Sequence, residues 1–568
     1  MQTQTQRTIL WVIFTMSLLF LWDAWQRHTG QPSLFGGAPP KTQPADAPGA
    51  APGPVGGPAG DASVPTPAVV PTPATPATAA APAPGAPATS QQAIVLQNDV
   101  LSLQIDPIGG TVKYAELLQH RDASGRGNQM LLQDQPGQIY LAQSGLIGPG
   151  GANFPTHRTP FQVVGQRDVS PGVKELRLQA ESGGLRVTKV YTLERGSYVI
   201  GVRHELQNLT GDTLSPTLYT QLTRDANPPP GESYFYSTYT GPVVYTDESK
   251  FTKVAFSDIE KGKQQHPKAA RDGWVGIIQH YFVSAWVPHP PDAPREFYTR
   301  RVDTNLYSVG SMQPAGSLAP GATATVESKL FVGPQIQDVL AAVAPGLELS
   351  VDYGWLTVFA KPLFWLLNAL HSLVGNWGWA IVLLTIVVKL AFWPLQAASY
   401  RSMARMKKVT PRLMQIRERY GNDRMKMNQA MMELYKTEKI NPLGGCLPIV
   451  VQIPVFIALY WVLLASVEMR NAPWVLWIQD LAVPDPYFIL PLVMAGTMFI
   501  QVKLNPTPPD PMQAKMMMFM PLIFSVMFFF FPAGLVLYWL VNNVFSIGQQ
   551  WVIMRRIEGK PVFGKAPA

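Results

Sequence analysis

Residues 377–399 read WGWAIVLLTIVVKLAFWPLQAAS, a near-continuous apolar run with a lysine, Lys389, inside it. At the usual helical rise, Lys389 lies roughly 18 Å along the axis from Trp377, past the midpoint of a ~30 Å hydrocarbon core. A charge at that depth costs about 2.5–3.5 kcal/mol on insertion scales. Such a lysine either snorkels to the interface or serves a function, and function is the default reading of an ionisable residue in a span.

The composition agrees with a membrane setting. Of the 568 residues, 47% are hydrophobic and 14% charged, against ~25% charged in soluble domains. Length calls for more than one domain, so a membrane protein with a soluble part is expected. The net charge of +8 is concentrated. Residues 399–441 hold eleven Lys/Arg and four Asp/Glu. Cys446 is the single cysteine, which excludes an intramolecular disulfide.

Working outward, residues 1–30 contain an apolar run from Ile9 to Trp25. It is longer than a usual signal-peptide core and lacks a nearby small-x-small site, so an uncleaved anchor is favoured over a signal peptide. Residues 31–90 carry sixteen prolines and three charges, a composition that builds no core and reads as a disordered, polyproline-rich tether. Residues 91–345 alternate. Leu101, Leu103 and Ile105 share one phase; Ile200, Val202, His204 and Leu206 another; Ala324 to Val332 a third. Turn signals at 108–110, 181–184 and 319–321 separate the runs. The expectation is an antiparallel, all-β sandwich. Among its scattered histidines, His204, His266 and His280 show no metal-ligand spacing, and no nucleophile motif accompanies them. His204 on an alternating face reads as packed rather than catalytic.

From 346 to 558 the chain reads as membrane-embedded. Residues 352–371 are apolar but broken by Asp352, Lys361-Pro362 and His371, which suits a helix lying in the membrane plane. Five spans follow, at about 377–398, 446–466, 486–503, 516–531 and 534–553. The Lys/Arg bias sets their orientation. The basic loop 399–445, Lys503, Lys515 and the tail 559–568 belong in the cytoplasm. Loop 467–485, with Glu468, Asp480 and Asp485, faces out. With the anchor this gives six spans, both termini inside and the β-domain outside.

Thr385, Lys389, Gln396 and Ser399 recur at helical spacing on the 377–398 span. Asn542, Asn543, Ser546, Gln549 and Gln550 form a second stripe on the last span. Gln452 and Gln501 add single amides. Polar groups facing lipid would be unsatisfied, so the stripes are expected to face one another around a wet, inward-opening cavity. Hydrogen-bonding between helices is the competing use of such residues. No intramembrane acid pairs with Lys389.

Residues 399–440 read as a basic αα-hairpin. One helix runs from Ser399 to Tyr420, with Pro411 as a kink, and a second is capped by Asp423. It carries Met403, Met406 and five further methionines, a soft surface for varied apolar partners. Arg412, Arg417 and Arg419 suit anionic lipid headgroups or ribosomal RNA phosphates equally.

The stretch from Asn441 to Tyr460, NPLGGCLPIVVQIPVFIALY, resembles the YidC membrane protein insertase family of the YidC/Oxa/Alb group. Asp352-Tyr-Gly-Trp, Gly375-Asn-Trp-Gly, Asp485-Pro-Tyr-Phe-Ile-Leu-Pro and Phe531-Pro-Ala-Gly-Leu-Val-Leu-Tyr-Trp support the likeness, which covers essentially 352–553. The anchor, linker and large β-domain resemble the Gram-negative form. The resemblance implies a β-supersandwich in the periplasm, an inner-membrane location, and insertion of nascent membrane proteins through a hydrophilic groove. It implies no cofactor. The Sec translocon, the ribosome and membrane lipids are the implied partners, and DNA is not. The family's groove charge is usually arginine. The matching position here is Lys389, which keeps the charge and loses the planar fork.

Two rival functions make different demands. A small-solute transporter or channel calls for a continuous polar path and often internal repeats. A membrane-displayed carbohydrate enzyme calls for an acid/base pair within 91–345. Neither demand is met by the residues.

Overall fold

The computed structural model describes residues 63–65, 93–122, 125–230, 238–420, 423–438, 447–504, 515–516, 518–519 and 525–557. The expected anchor, most of the tether, much of the 516–531 span and the C-terminal tail lie outside them. The described residues form two compact units, one ending at Val351 and the other beginning at Asp352.

The first unit is built from strands where alternation called for them. Leu101–Asp106, Val199–Asn208 and Thr323–Pro334 are all strands. In Val199–Asn208 every second residue is buried, including Ile200, Val202, His204 and Leu206. That is the period-two signature of one face turned to a core. The described strands form two nine-stranded antiparallel sheets. In one of them Val199–Asn208 pairs with Leu185–Glu194 on one side and with Thr323–Pro334 on the other. The sheets share a core in which Trp274 and Trp286 are fully buried. Polar ends of core aromatics cross between them: the Trp286 indole donates to the Gln221 carbonyl at 3.0 Å and the Tyr140 hydroxyl to the Ile277 carbonyl at 3.3 Å. The all-β expectation therefore holds.

His204 is packed, as its alternating position suggested. It lies wholly inside the sandwich, 2.9 Å from the Ser144 hydroxyl. Beside it Lys189 is also wholly buried. Its ammonium donates to the carbonyls of Gly109 and Ser144 at 2.6 and 2.7 Å and to the Ser144 hydroxyl at 3.0 Å, and lies 5.0 Å from the centre of the Phe161 ring.

The second unit is helical. Helix α1 (Thr357–Val374) ends on Gly375, whose φ of 67° suits glycine as a helix stop. Helix α2 (Trp377–Ala391) is capped by the Asn376 side chain, which accepts from the Trp379 amide at 3.1 Å. The Asn376 amide group also donates to the Pro473 carbonyl at 2.9 Å. Gly378 lies so close to Trp474 that a Cβ would fall 2.2 Å from its ring. Cap and close approach together fix the start of α2 against the 472–478 segment.

The expected 377–398 span is two helices. Helix α3 (Trp393–Tyr420) follows α2 with a 65° bend at the break. Pro394 explains it: it has no N–H, and its ring would collide with the Leu390 carbonyl in a continued helix. The first hairpin helix thus begins at Trp393 rather than Ser399, and it continues through Pro411. Helix α4 (Arg424–Thr437) begins at Asp423, whose carboxylate accepts from the Lys426 amide at 3.1 Å. The α3 and α4 helices pack through buried Val409 and Leu413, with Met406, Met431, Leu434 and Tyr435 against them.

Helix α5 (Leu447–Ala465), α6 (Ile489–Leu504) and α7 (Ala533–Ile557) fall within a few residues of three expected spans. Helix α1 itself is long and apolar enough to cross a membrane, as is the α2 and early α3 pair taken as one bent span. Length alone therefore does not reserve α1 for the membrane plane.

Candidate functional site

Inside the helical unit, α2, α3, α5, α6 and α7 enclose an open cavity of about 340 Å³. Lys389, Gln396, Gln452, Gln501, Asn542 and Ser546 all line it. These are six of the eight residues singled out for a wet groove. The other two do not reach it. Thr385 is buried one turn before Lys389, where its hydroxyl donates to the Ile381 carbonyl at 2.7 Å. Asn543 is buried on another side of α7. Gln549 and Gln550, also in the last-span stripe, are buried away from the cavity as well.

The stripes do meet, but not as one face against another. The bend at Phe392 puts Thr385 and Lys389 on one helix and Gln396 and Ser399 on the next. The 3.6-residue spacing does not run through the break, and Lys389 and Gln396 line the same cavity from either side of it.

A chain of hydrogen bonds ties the lining together. The Lys389 ammonium donates to the Ser546 hydroxyl at 2.8 Å, and that hydroxyl donates to the Asn542 carbonyl at 2.7 Å. The Gln452 amide donates to the Asn542 side-chain oxygen at 2.9 Å and accepts from Gln396 at 3.2 Å. Lys389 is only 2% exposed. Among the described residues, none in the lining is acidic. The cavity is thus polar, hydrogen-bonded and cationic, with amides able to donate and accept.

The residues of its apolar wall are not marked in the sequence. Tyr400, Ile453, Phe456, Tyr538 and Trp539 line it too. Phe456 stacks on Trp539 with ring centres 4.5 Å apart. Ile453, Phe456, Tyr538 and Trp539 lie within mostly apolar runs, where no period marks a cavity-facing side chain from a lipid-facing one. The buried face of α7, where Leu535 to Tyr538 are all shielded, becomes visible only once the helix is packed.

The residues expected to dock partners divide. Met403 lines the cavity and packs near Tyr400 and Ile553, and Met406 packs between α3 and α4. Met414, Met425 and Met432 stay exposed. Arg412 pairs with Glu438 at 2.5 Å while remaining largely exposed. Arg419 lies 5.8 Å over the Tyr420 ring. Arg417 is near the end of the same helix.

Known proteins resemble the chain over nearly its whole length. The family model described as the YidC periplasmic domain matches residues 93–366, and that described as the 60Kd inner membrane protein matches 369–560. A protein of Bordetella petrii named Membrane protein insertase YidC is 57% identical over 560 residues, covering 98% of each chain. One of the same name from Janthinobacterium sp. is 53% identical over 569 residues, covering 97% of this chain and 99% of its own. A crystal structure described as an active YidC insertase with its first transmembrane domain resolved is 18% identical, covers 81% of this chain and 92% of its own, and superposes with a TM-score of 0.39.

Proposed function

The chain belongs to the YidC family of membrane protein insertases, and from that membership we propose that the cavity around Lys389 is the groove that receives the hydrophilic segment of a nascent membrane protein. The observation that carries this reading is the state of the lysine: a buried cation whose hydrogen-bond partner is a hydroxyl, in a cavity where none of the described lining residues is acidic. An acidic residue of an arriving segment would supply the missing counter-charge. The amides of Gln396, Gln452 and Asn542 would replace the water that its backbone gives up, so that the polar segment is never left unsatisfied in lipid. The aromatic and aliphatic wall would guide the apolar helix that follows. No covalent step is required. Burial of the substrate's apolar surface, at ~25 cal/mol per Å², and the membrane potential acting on acidic segments supply the work.

The supporting topology has six spans with both termini in the cytoplasm, the β-domain in the periplasm and the cavity open to the cytoplasmic side. The α3 and α4 pair then projects into the cytoplasm as a basic hairpin, where Arg412, Arg417 and Arg419 meet the ribosome or lipid headgroups. Working beside the Sec translocon is compatible with the same arrangement.

The test is photocrosslinking. A photoreactive amino acid at Gln396, Gln452 or Asn542 should capture the translocated segment of a stalled nascent membrane protein, whereas one at a lipid-exposed position such as Leu492, 59% exposed, should not. Equal capture at both kinds of position would remove the cavity from the reading.

A further inference from the structure

In the first compact unit, three linker residues, Ser63, Val64 and Pro65, lie on the β-sandwich. They come from the proline-rich tether, which cannot form a core of its own. Ser63 is nonetheless only 7% exposed. Its carbonyl accepts from the Gln221 amide at 3.2 Å and from the Arg300 guanidinium. Its hydroxyl is 3.2 Å from His157 Nε2 and accepts from Arg158 Nε at 3.0 Å. Val64 packs against a buried cluster of Ile147, Tyr219 and Met312. Pro65 is buried as well.

The receiving side is built in advance by the domain. His157 Nδ1 lies 2.6 Å from the Tyr219 hydroxyl, which fixes the ring. The Tyr298 hydroxyl donates to Gln221 at 2.8 Å, and the Gln221 amide also donates to Gln143 at 2.8 Å. So His157 and Gln221, two of the groups that grip Ser63, are held by their own partners. What they read is one backbone carbonyl, one hydroxyl and one branched apolar side chain, followed by a proline whose ring pre-sets φ and lowers the entropy cost of docking.

We infer that the β-domain carries a binding site for an extended hydroxyl–Val–Pro peptide segment, occupied in cis by Ser63–Pro65 of its own linker. None of these contacts depends on the segment being covalently joined to the domain, so a free peptide of the same sequence competes for the site. The other Val-Pro pair of the linker, Val70-Pro71, follows Val69 and lacks the hydroxyl. The site therefore selects the Ser63 register.

The experiment uses the full chain in detergent with Cys446→Ser as background. Val64→Cys and Pro65→Cys are made separately, with Ala79→Cys as the linker reference, and maleimide labelling rates are measured. Positions 64 and 65 should label at least tenfold more slowly than position 79. Ser63→Val, which leaves the domain untouched, should raise the rate at position 65 toward the reference, and so should Arg300→Ala. Equal rates at 64, 65 and 79 in the parent chains would overturn the cis docking. A synthetic Asp-Ala-Ser-Val-Pro-Thr-Pro peptide should accelerate labelling at position 65 to a plateau, and the same peptide with valine in place of serine should not. Absence of any acceleration would overturn the peptide site.

Discussion

The ammonium of Lys389 donates to the hydroxyl of Ser546 at 2.8 Å, joining two helices across 157 residues of sequence. A hydroxyl satisfies one donor of the ammonium and none of its charge. That difference separates the two roles such a lysine can have, helix glue or receptor for an anion, and it makes them separable by substitution.

Lys389→Ala is expected to slow insertion of substrates with Asp or Glu in the translocated segment by about tenfold or more, equivalent to about 1.4 kcal/mol of lost stabilisation. Lys389→Arg is expected to retain most of the rate. Ser546→Ala removes only an interhelical hydrogen bond, worth about 0.6 kcal/mol on average, so it should cost threefold or less. Protease protection of the translocated segment reads all three. Normal insertion by the Ala variant would reduce Lys389 to a snorkelling residue.

The buried Lys189 sets a pH dependence in the β-domain. Burial lowers its ammonium from the ordinary 10.5 to about 7. Burial and the nearby Lys189 hold His204 well below 6.5. The unfolded chain binds protons that the folded one refuses, on Lys189 between pH 10.5 and 7 and on His204 below 6.5. Stability therefore rises with pH over this range. The unfolding midpoint of the β-domain, followed by circular dichroism on the full chain, should climb from pH 7 to 9. Lys189→Met should flatten that climb. A wild-type midpoint unchanged from pH 6 to 9 would contradict the burial argument.

The contact between Gly378 and Trp474 leaves no room for a side chain. Gly378→Val should destabilise the helical unit by about 1–3 kcal/mol, the usual range for overpacking. Gly496→Ala, where a methyl group meets nothing within 4 Å, should not. Thermal unfolding of the solubilised protein distinguishes them, and equal midpoints would show that the start of α2 yields easily.

Removing most of 91–320, while keeping the stretch before Asp352, should leave insertion near the parental rate. The groove residues all belong to the other compact unit. A stably expressed deletion that fails to insert would reveal a required role for the sandwich.

Charge reversal at Arg412, Arg417 and Arg419 should weaken co-sedimentation with translating ribosomes most at low salt, and the deficit against the parent should narrow as salt rises. Arg412 also loses its pairing with Glu438, but an exposed pair contributes ~1 kcal/mol or less. Unchanged sedimentation across the salt series would leave α3 and α4 as a strut.

How much could be read from the residues alone varied with the kind of signal. Strand alternation in Val199–Asn208 is set by which face is buried, and it was legible. The polar members of the cavity were legible because a polar side chain in an apolar run needs a partner. The break at Phe392 was written in Pro394 but passed over, because hydropathy continues unchanged through it. That omission misassigned Gln396 and Ser399 to the helix of Lys389. The aromatic wall of Phe456, Tyr538 and Trp539 carried no such signal, since nothing but packing tells an inward tryptophan from an outward one. The seat of Ser63 on the sandwich was hidden for another reason: it depends on groups from three separate parts of the chain, His157-Arg158, Gln221 and Arg300.

The bend after α2 has an electrostatic meaning. A helix that ran straight on past Ala391 would carry its negative dipole end far from Lys389. By ending there, α2 places the lysine in its own last turn, where the terminal carbonyls carry about half a negative charge. Such an end favours a cation by ~0.3–1 kcal/mol at the surface and up to ~2 kcal/mol in partly buried settings. Pro394 thus gives the cavity a partial counter-ion made of backbone. It steadies the ammonium while the groove is empty, yet is too weak to compete with a full carboxylate when one arrives.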